Sequence, residues 1–144
     1  MPKMNILLCG GGTGGHYYPL MAIKEELHSK SDFCFSFIGA KKGIESSKIH
    51  SESIAFKLIS ISGLNRKVSI KSLFQNIIVG INIIIGFFHV LIFFIKQKPN
   101  LVISTGGYSS FLPLQVARML KVPYVLHEQN SYPGVVTKFF SKNA

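Results

Sequence analysis

Five short apolar runs, each stopped by glycine or a polar breaker and separated by longer amphipathic stretches, constrain this 144-residue chain more than any other feature. The runs are Met4 to Cys9, Phe33 to Ile38, Ile54 to Ser60, Leu101 to Ser104 and Tyr124 to His127. Their Ile, Val, Leu, Phe and Tyr content suits strands buried on both faces. Between them the spacing predicts helices over Tyr18 to Ser29, Gly43 to Ser51, about Ser69 to Gln97 and Ser110 to Leu120, with another opening near Pro133. Strands alternating with helices imply an α/β fold, an open parallel sheet with helices on both faces. The length suits one domain with a real core.

Composition adds two bounds. Sixteen Lys and Arg against six acids give a net charge of +10, which favours anionic partners. No helix-turn-helix, zinc or aromatic-basic pattern accompanies that charge, so nucleic acid is not the expected partner. Hydrophobic residues make up 47% and the mean hydropathy is +0.33, a composition near a membrane boundary. Cys9 and Cys34 both fall in strand-like runs and read as buried free thiols. The run behind Lys3 is too short for an export signal.

The first strand runs into Gly10-Gly11-Gly12-Thr13-Gly14-Gly15-His16. Glycines after a strand let backbone N–H groups approach a phosphate and aim a helix N-terminus at its charge. Gly10-x-Gly12-x-x-Gly15 fits the dinucleotide fingerprint, but the second strand ends in Gly39-Ala40-Lys41-Lys42 without the acid that would hold a ribose. His16 stands where a nucleoside-triphosphate loop requires lysine. Two more strand ends carry polar loops, Ser104-Thr105-Gly106-Gly107-Tyr108 and His127-Glu128-Gln129-Asn130. In an open parallel sheet the three loops converge on one carboxyl-edge crevice.

Ile77 to Ile95 is nineteen residues with only Asn82 and His89 plainly polar, close to the ~20 that cross a bilayer. Gln75, Asn82, His89 and Lys96 recur every seven residues, the stripe of an amphipathic helix with a narrow wet face. The expectation is a crossover helix that packs partly on the sheet and offers apolar surface to lipid, with Lys67, Lys71, Lys96 and Lys98 meeting anionic headgroups. A spanning helix and plain core burial are the alternatives.

Gly11-Gly12-Thr13-Gly14-Gly15-His16-x-x-Pro19, Ile61-Ser62-Gly63-Leu64, Thr105-Gly106-Gly107-Tyr108 and Leu126-His127-Glu128-Gln129-Asn130 with Pro133-Gly134 resemble, in order and spacing, the MurG family of glycosyltransferases. The resemblance implies the N-terminal, Rossmann-like domain of a two-domain B-type enzyme. Such an enzyme moves GlcNAc from UDP-GlcNAc to the C4 hydroxyl of undecaprenyl-pyrophosphoryl-MurNAc-pentapeptide, with inversion, no metal and no cofactor. It implies that residues 1–144 bind the acceptor and an anionic membrane surface, peripherally on the cytoplasmic side of the bacterial inner membrane. The donor-binding C-terminal domain is then expected to lie outside this chain. Thr13, Gly14 and Gly15 match the loop that meets donor and acceptor diphosphate, with Gly12 beside them, and Asn130 matches a donor contact. His16, Gly106, Gly107, Tyr108, His127 and Glu128 match the acceptor side, and His16 and Glu128 are the candidates for the general base. A non-catalytic subunit that recruits a separate donor-binding chain, or an inactive truncated product, fits the same residues.

Overall fold

A computed structural model describes residues 3–61 and 70–143. The strands are β1 (Asn5–Gly10), β2 (Cys34–Ala40), β3 (Ala55–Ile59), β4 (Leu101–Gly106) and β5 (Tyr124–Leu126). The helices are α1 (Gly14–Lys30), α2 (Glu45–Lys48), α3 (Ile70–Gln97), α4 (Phe111–Met119) and α5 (Val135–Phe140). Short 3-10 turns extend α2 over Ile49–Ser51, precede α4 over Tyr108–Ser110 and follow α5 over Ser141–Asn143. The Ser62–Leu64 part of the motif, Lys67 and the side chain of Lys71 lie outside the described residues.

All four strand pairings are parallel, in the order β3-β2-β1-β4-β5. The chain winds outward from β1 to β3, then crosses back through α3 to β4. The order reverses between β1 and β4, which is where an open α/β sheet leaves its ligand crevice.

Alternate residues of β1 feed two cores. Leu7 and Cys9 pack with Val90, Phe93 and Phe94 of α3, Leu112, Leu114, Val116 and Ala117 of α4 and Phe140 of α5. Ile6 and Leu8 pack with Tyr17, Leu20 and Met21 of α1, Phe37 and Ile49 on the other face. Both faces are covered, so the strands are apolar without alternation, as their sequence required.

Two details differ from the sequence reading. Helix α1 begins at Gly14 rather than Tyr18, because extended Thr13 (φ −136°, ψ 160°) turns the chain directly into it. His16 is therefore in a helix's first turn, not on a free loop. Cys34, which opens β2 opposite Asn5 at the amino edge of the sheet, is exposed; of the two cysteines Cys9 is the buried one.

Helix α3 packs one side on the sheet and turns an apolar side outward, as its sequence leads one to expect. Asn82 is half-buried, while His89 and Lys96 are exposed, so the narrow heptad stripe borders the buried face. The outward face is apolar: Ile77, Ile78, Ile81, Ile84, Ile85, Phe88, Ile92 and Ile95 are 49–61% exposed. Asn76–Gln97 has a mean hydropathy of 2.6 and is long and apolar enough to cross a membrane by length and composition.

Candidate functional site

The glycine loop is shaped by what presses on it. Gly10 is buried beside β4, and a methyl there would lie 2.2 Å from Thr105 Oγ1. Gly12 has φ +87°, and a methyl on it would meet the Tyr108 ring at 2.7 Å. Both the backbone region and the close approach demand glycine. The first turn of α1 follows at once, and Thr13 provides no side-chain cap. The N–H groups at a helix start have no intrahelical acceptors, so Gly14 and Gly15 present donors together with the positive end of the helix dipole.

The loop after β4 closes against this turn. Gly106 (φ +86°) and Gly107 (φ +82°) are both left-handed. The Gly106 N–H donates to Ser104 Oγ at 3.1 Å, and Ser110 Oγ donates to the Gly106 carbonyl at 2.7 Å, which holds the bend. A methyl on Gly107 would lie 2.6 Å from the Gly11 carbonyl oxygen and 3.1 Å from the His16 ring. The two glycine loops are thus in direct backbone contact.

His16 joins all three strand ends. Its Nδ1 lies 2.8 Å from the Thr105 carbonyl oxygen, and Thr105 Oγ1 donates to the His16 carbonyl at 2.7 Å. A carbonyl only accepts, so Nδ1 carries the hydrogen and the neutral ring keeps its lone pair on Nε2. The Gln129 side-chain amide, from the loop after β5, sits 2.5 Å from the same Nδ1. The amide orientation that satisfies both groups turns the Gln129 oxygen toward Nδ1–H; the opposite one leaves that oxygen buried without a donor.

Glu128 faces its own loop. Oε1 accepts from the Asn130 N–H (3.1 Å) and Asn130 Nδ2 (2.9 Å), and Oε2 accepts from the Gly134 N–H (3.1 Å). Desolvation alone would raise its pKa, but these hydrogen bonds and one from Thr137 outweigh it and hold the carboxyl below its ordinary range. His127 anchors the loop through its backbone, donating to the Ser104 carbonyl at 2.7 Å, and its side chain is exposed. Asn130 is exposed as well. Desolvation, and then the negative charge of Glu45, raise the Tyr108 phenol.

Of the residues picked out in sequence, Gly12 to His16, Gly106, Gly107 and Tyr108 form one contiguous surface at the β1/β4 switch point. Glu128 and Asn130 bind each other. Two residues escaped the sequence reading. Nothing in the sequence marks Gln129, because an irregular loop has no periodicity to show which of four polar side chains turns inward. Glu45 lies five residues beyond the end of β2, yet is fully buried and accepts hydrogen bonds from Gly12 and Ala40. The acid missing after β2 is therefore present, but it grips the glycine loop from beneath.

The profile of the "Glycosyltransferase family 28 N-terminal domain" matches residues 6–144. Two curated relatives named "UDP-N-acetylglucosamine--N-acetylmuramyl-(pentapeptide) pyrophosphoryl-undecaprenol N-acetylglucosamine transferase" are similar over 96% of the chain. That of Carboxydothermus hydrogenoformans is 38% identical and that of Bacillus pumilus 40%. The chain spans only 36% and 37% of their respective lengths. Among solved structures, Acinetobacter baumannii MurG superposes with a TM-score of 0.80 at 25% identity, covering 99% of this chain and 40% of that one. A glycosyltransferase from Rickettsia africae shares the fold at a TM-score of 0.60 and 11% identity, covering 99% of this chain and 35% of that one. With five parallel strands, a glycine-lined switch point and a profile match over nearly its whole length, the chain belongs to glycosyltransferase family 28, in its N-terminal domain.

Proposed function

We propose that these residues are the acceptor-binding half of an inverting transferase that carries GlcNAc from UDP-GlcNAc to undecaprenyl-pyrophosphoryl-MurNAc-pentapeptide. The relatives' names motivate the substrates. The observation that carries the reading is His16, held through Nδ1 by Thr105 and Gln129 beside two glycine loops.

The first turn of α1, from Thr13 to Gly15, supplies N–H donors for a diphosphate, and Gly106, Gly107 and Tyr108 wall the acceptor side. The MurNAc C4 oxygen attacks the anomeric carbon of GlcNAc as its proton passes to His16 Nε2. The bond from that carbon to UDP breaks, and its electron pair leaves on the β-phosphate oxygen. Glu128 is the weaker base, because its lone pairs are engaged and its proton affinity is lowered. It serves instead to hold Asn130, which faces the donor. The apolar face of α3 with Lys96 and Lys98 docks the domain peripherally on an anionic bilayer, the cytoplasmic face of the bacterial inner membrane.

The test is transfer of labelled GlcNAc to the lipid-linked MurNAc-pentapeptide. The 144-residue chain alone transfers none, because a two-domain cleft needs its donor half, and transfer appears when that half is supplied in trans. In the combined system His16→Ala lowers kcat by ~10²–10⁴, the usual contribution of a general base, while Glu128→Gln costs less. Robust turnover by the chain alone refutes the divided cleft, and an unchanged rate in the His16 variant refutes the base.

A further inference from the structure

Glu45 is the buried charged group that this reaction scheme leaves without a task. It opens α2 and is fully buried, and its carboxylate reaches back across the end of β2. Oε1 accepts from the Ala40 N–H at 2.7 Å and the Gly12 N–H at 3.0 Å, while Oε2 accepts from the same Gly12 N–H at 2.9 Å. Three glycines leave room for it. A methyl on Gly11, Gly39 or Gly43 would lie 2.3, 2.7 or 2.2 Å from Glu45 atoms. Among the described residues no cation pairs with it. A buried carboxylate compensated by amides alone is expensive to keep, and an apolar side chain would fill the space at less cost. A glutamine would keep the shape but bring one acceptor oxygen and two N–H groups toward a pair of donors.

We propose that Glu45 is a positioning residue for the glycine loop: it ties the Gly12 N–H to Ala40 at the end of β2 and so fixes where the N–H groups of Thr13 to Gly15 point. The proposal rests on the reading of that loop as a diphosphate site. Two effects of the carboxylate compete there. Its charge repels an incoming anion, and its hydrogen bonds hold the loop in the shape that receives one. The Gly12 and Ala40 N–H groups point straight at the carboxylate and offset its charge at short range. A loop out of place is not compensated in that way, so positioning dominates.

The experiment uses the ¹⁵N-labelled 144-residue chain, with inorganic pyrophosphate as the probe. In the unsubstituted chain the Gly12 and Ala40 amides exchange with solvent far more slowly than those of Gly14 and Gly15. Pyrophosphate shifts the Thr13 to Gly15 resonances. In both Glu45→Gln and Glu45→Asp, which lose the charge and the reach respectively, Gly12 protection falls and pyrophosphate binds about tenfold more weakly, the worth of one charge-assisted hydrogen bond. Tighter binding by Glu45→Gln means that the charge acts only by repulsion, and overturns the proposal. So does a Gly12 amide in the unsubstituted chain that exchanges as fast as Gly15, a reading that stands even if both variants fail to fold. If the unsubstituted chain binds no pyrophosphate, the diphosphate reading fails by itself, and the exchange data still decide whether Glu45 holds the loop.

Discussion

Glu128 illustrates how little a residue's chemical type says about its work. A carboxylate beside a crevice invites the role of base, yet this one is spent on the Asn130 and Gly134 amides. Its folded-state pKa lies below the ordinary 4.5, so the stabilisation it gives is fully present above that value and lost as pH falls through the lower folded value. Protection of the Asn130 and Gly134 amides, taken relative to the intrinsic exchange rate, should therefore fall as acid protonates Glu128, while that of the Gly106 amide, bonded to the Ser104 hydroxyl, shows no such step. Gly107 makes the opposite point. Gly107→Ala forces a side chain into a left-handed backbone and against the Gly11 carbonyl, and should lower the free energy of unfolding by ~1–3 kcal/mol in a denaturant titration. A substitution as stable as the parent would mean that the two loops are not packed as described. Cys9, buried and pushed up to about 12 chiefly by desolvation, is a packing residue and not a nucleophile.

At the level of elements, hydrophobic periodicity located every strand and helix of the sequence reading within a few residues, because burial on both faces leaves an unbroken apolar signature. It misjudged the start of α1, since glycines argue against helix by propensity while tertiary contact from the β4 loop overrides them. The expected apolar outer surface of α3 is present: Val90, Phe93 and Phe94 set which side turns inward and leave isoleucines outside. That surface yields a test. Ile81→Glu, Ile85→Glu and Phe88→Glu combined should abolish co-sedimentation with anionic vesicles and leave the melting temperature within a few degrees, as all three are about half exposed. High salt or mild detergent should release the parent chain from the same vesicles. A chain freed only by dissolving the bilayer would instead be a spanning protein.

For the whole molecule, strand order is what turns scattered motifs into a site. Three loops separated by about ninety and twenty residues in sequence meet because β1, β4 and β5 are neighbours. The convergence was legible from the rule that strand ends share an edge. The link through His16 was not, because it depends on which way Gln129 turns, and that residue sits in no repeating pattern. The apolar side of α3 lies across the sheet from α1, so the domain would rest on a bilayer with its carboxyl edge alongside the surface rather than facing away from it. An enzyme seated in this way searches for its partner in two dimensions. Its rate should follow the mole fraction of acceptor in the film and fall when inert lipid is added at constant bulk concentration; velocity indifferent to that dilution would mean that the acceptor is captured from solution.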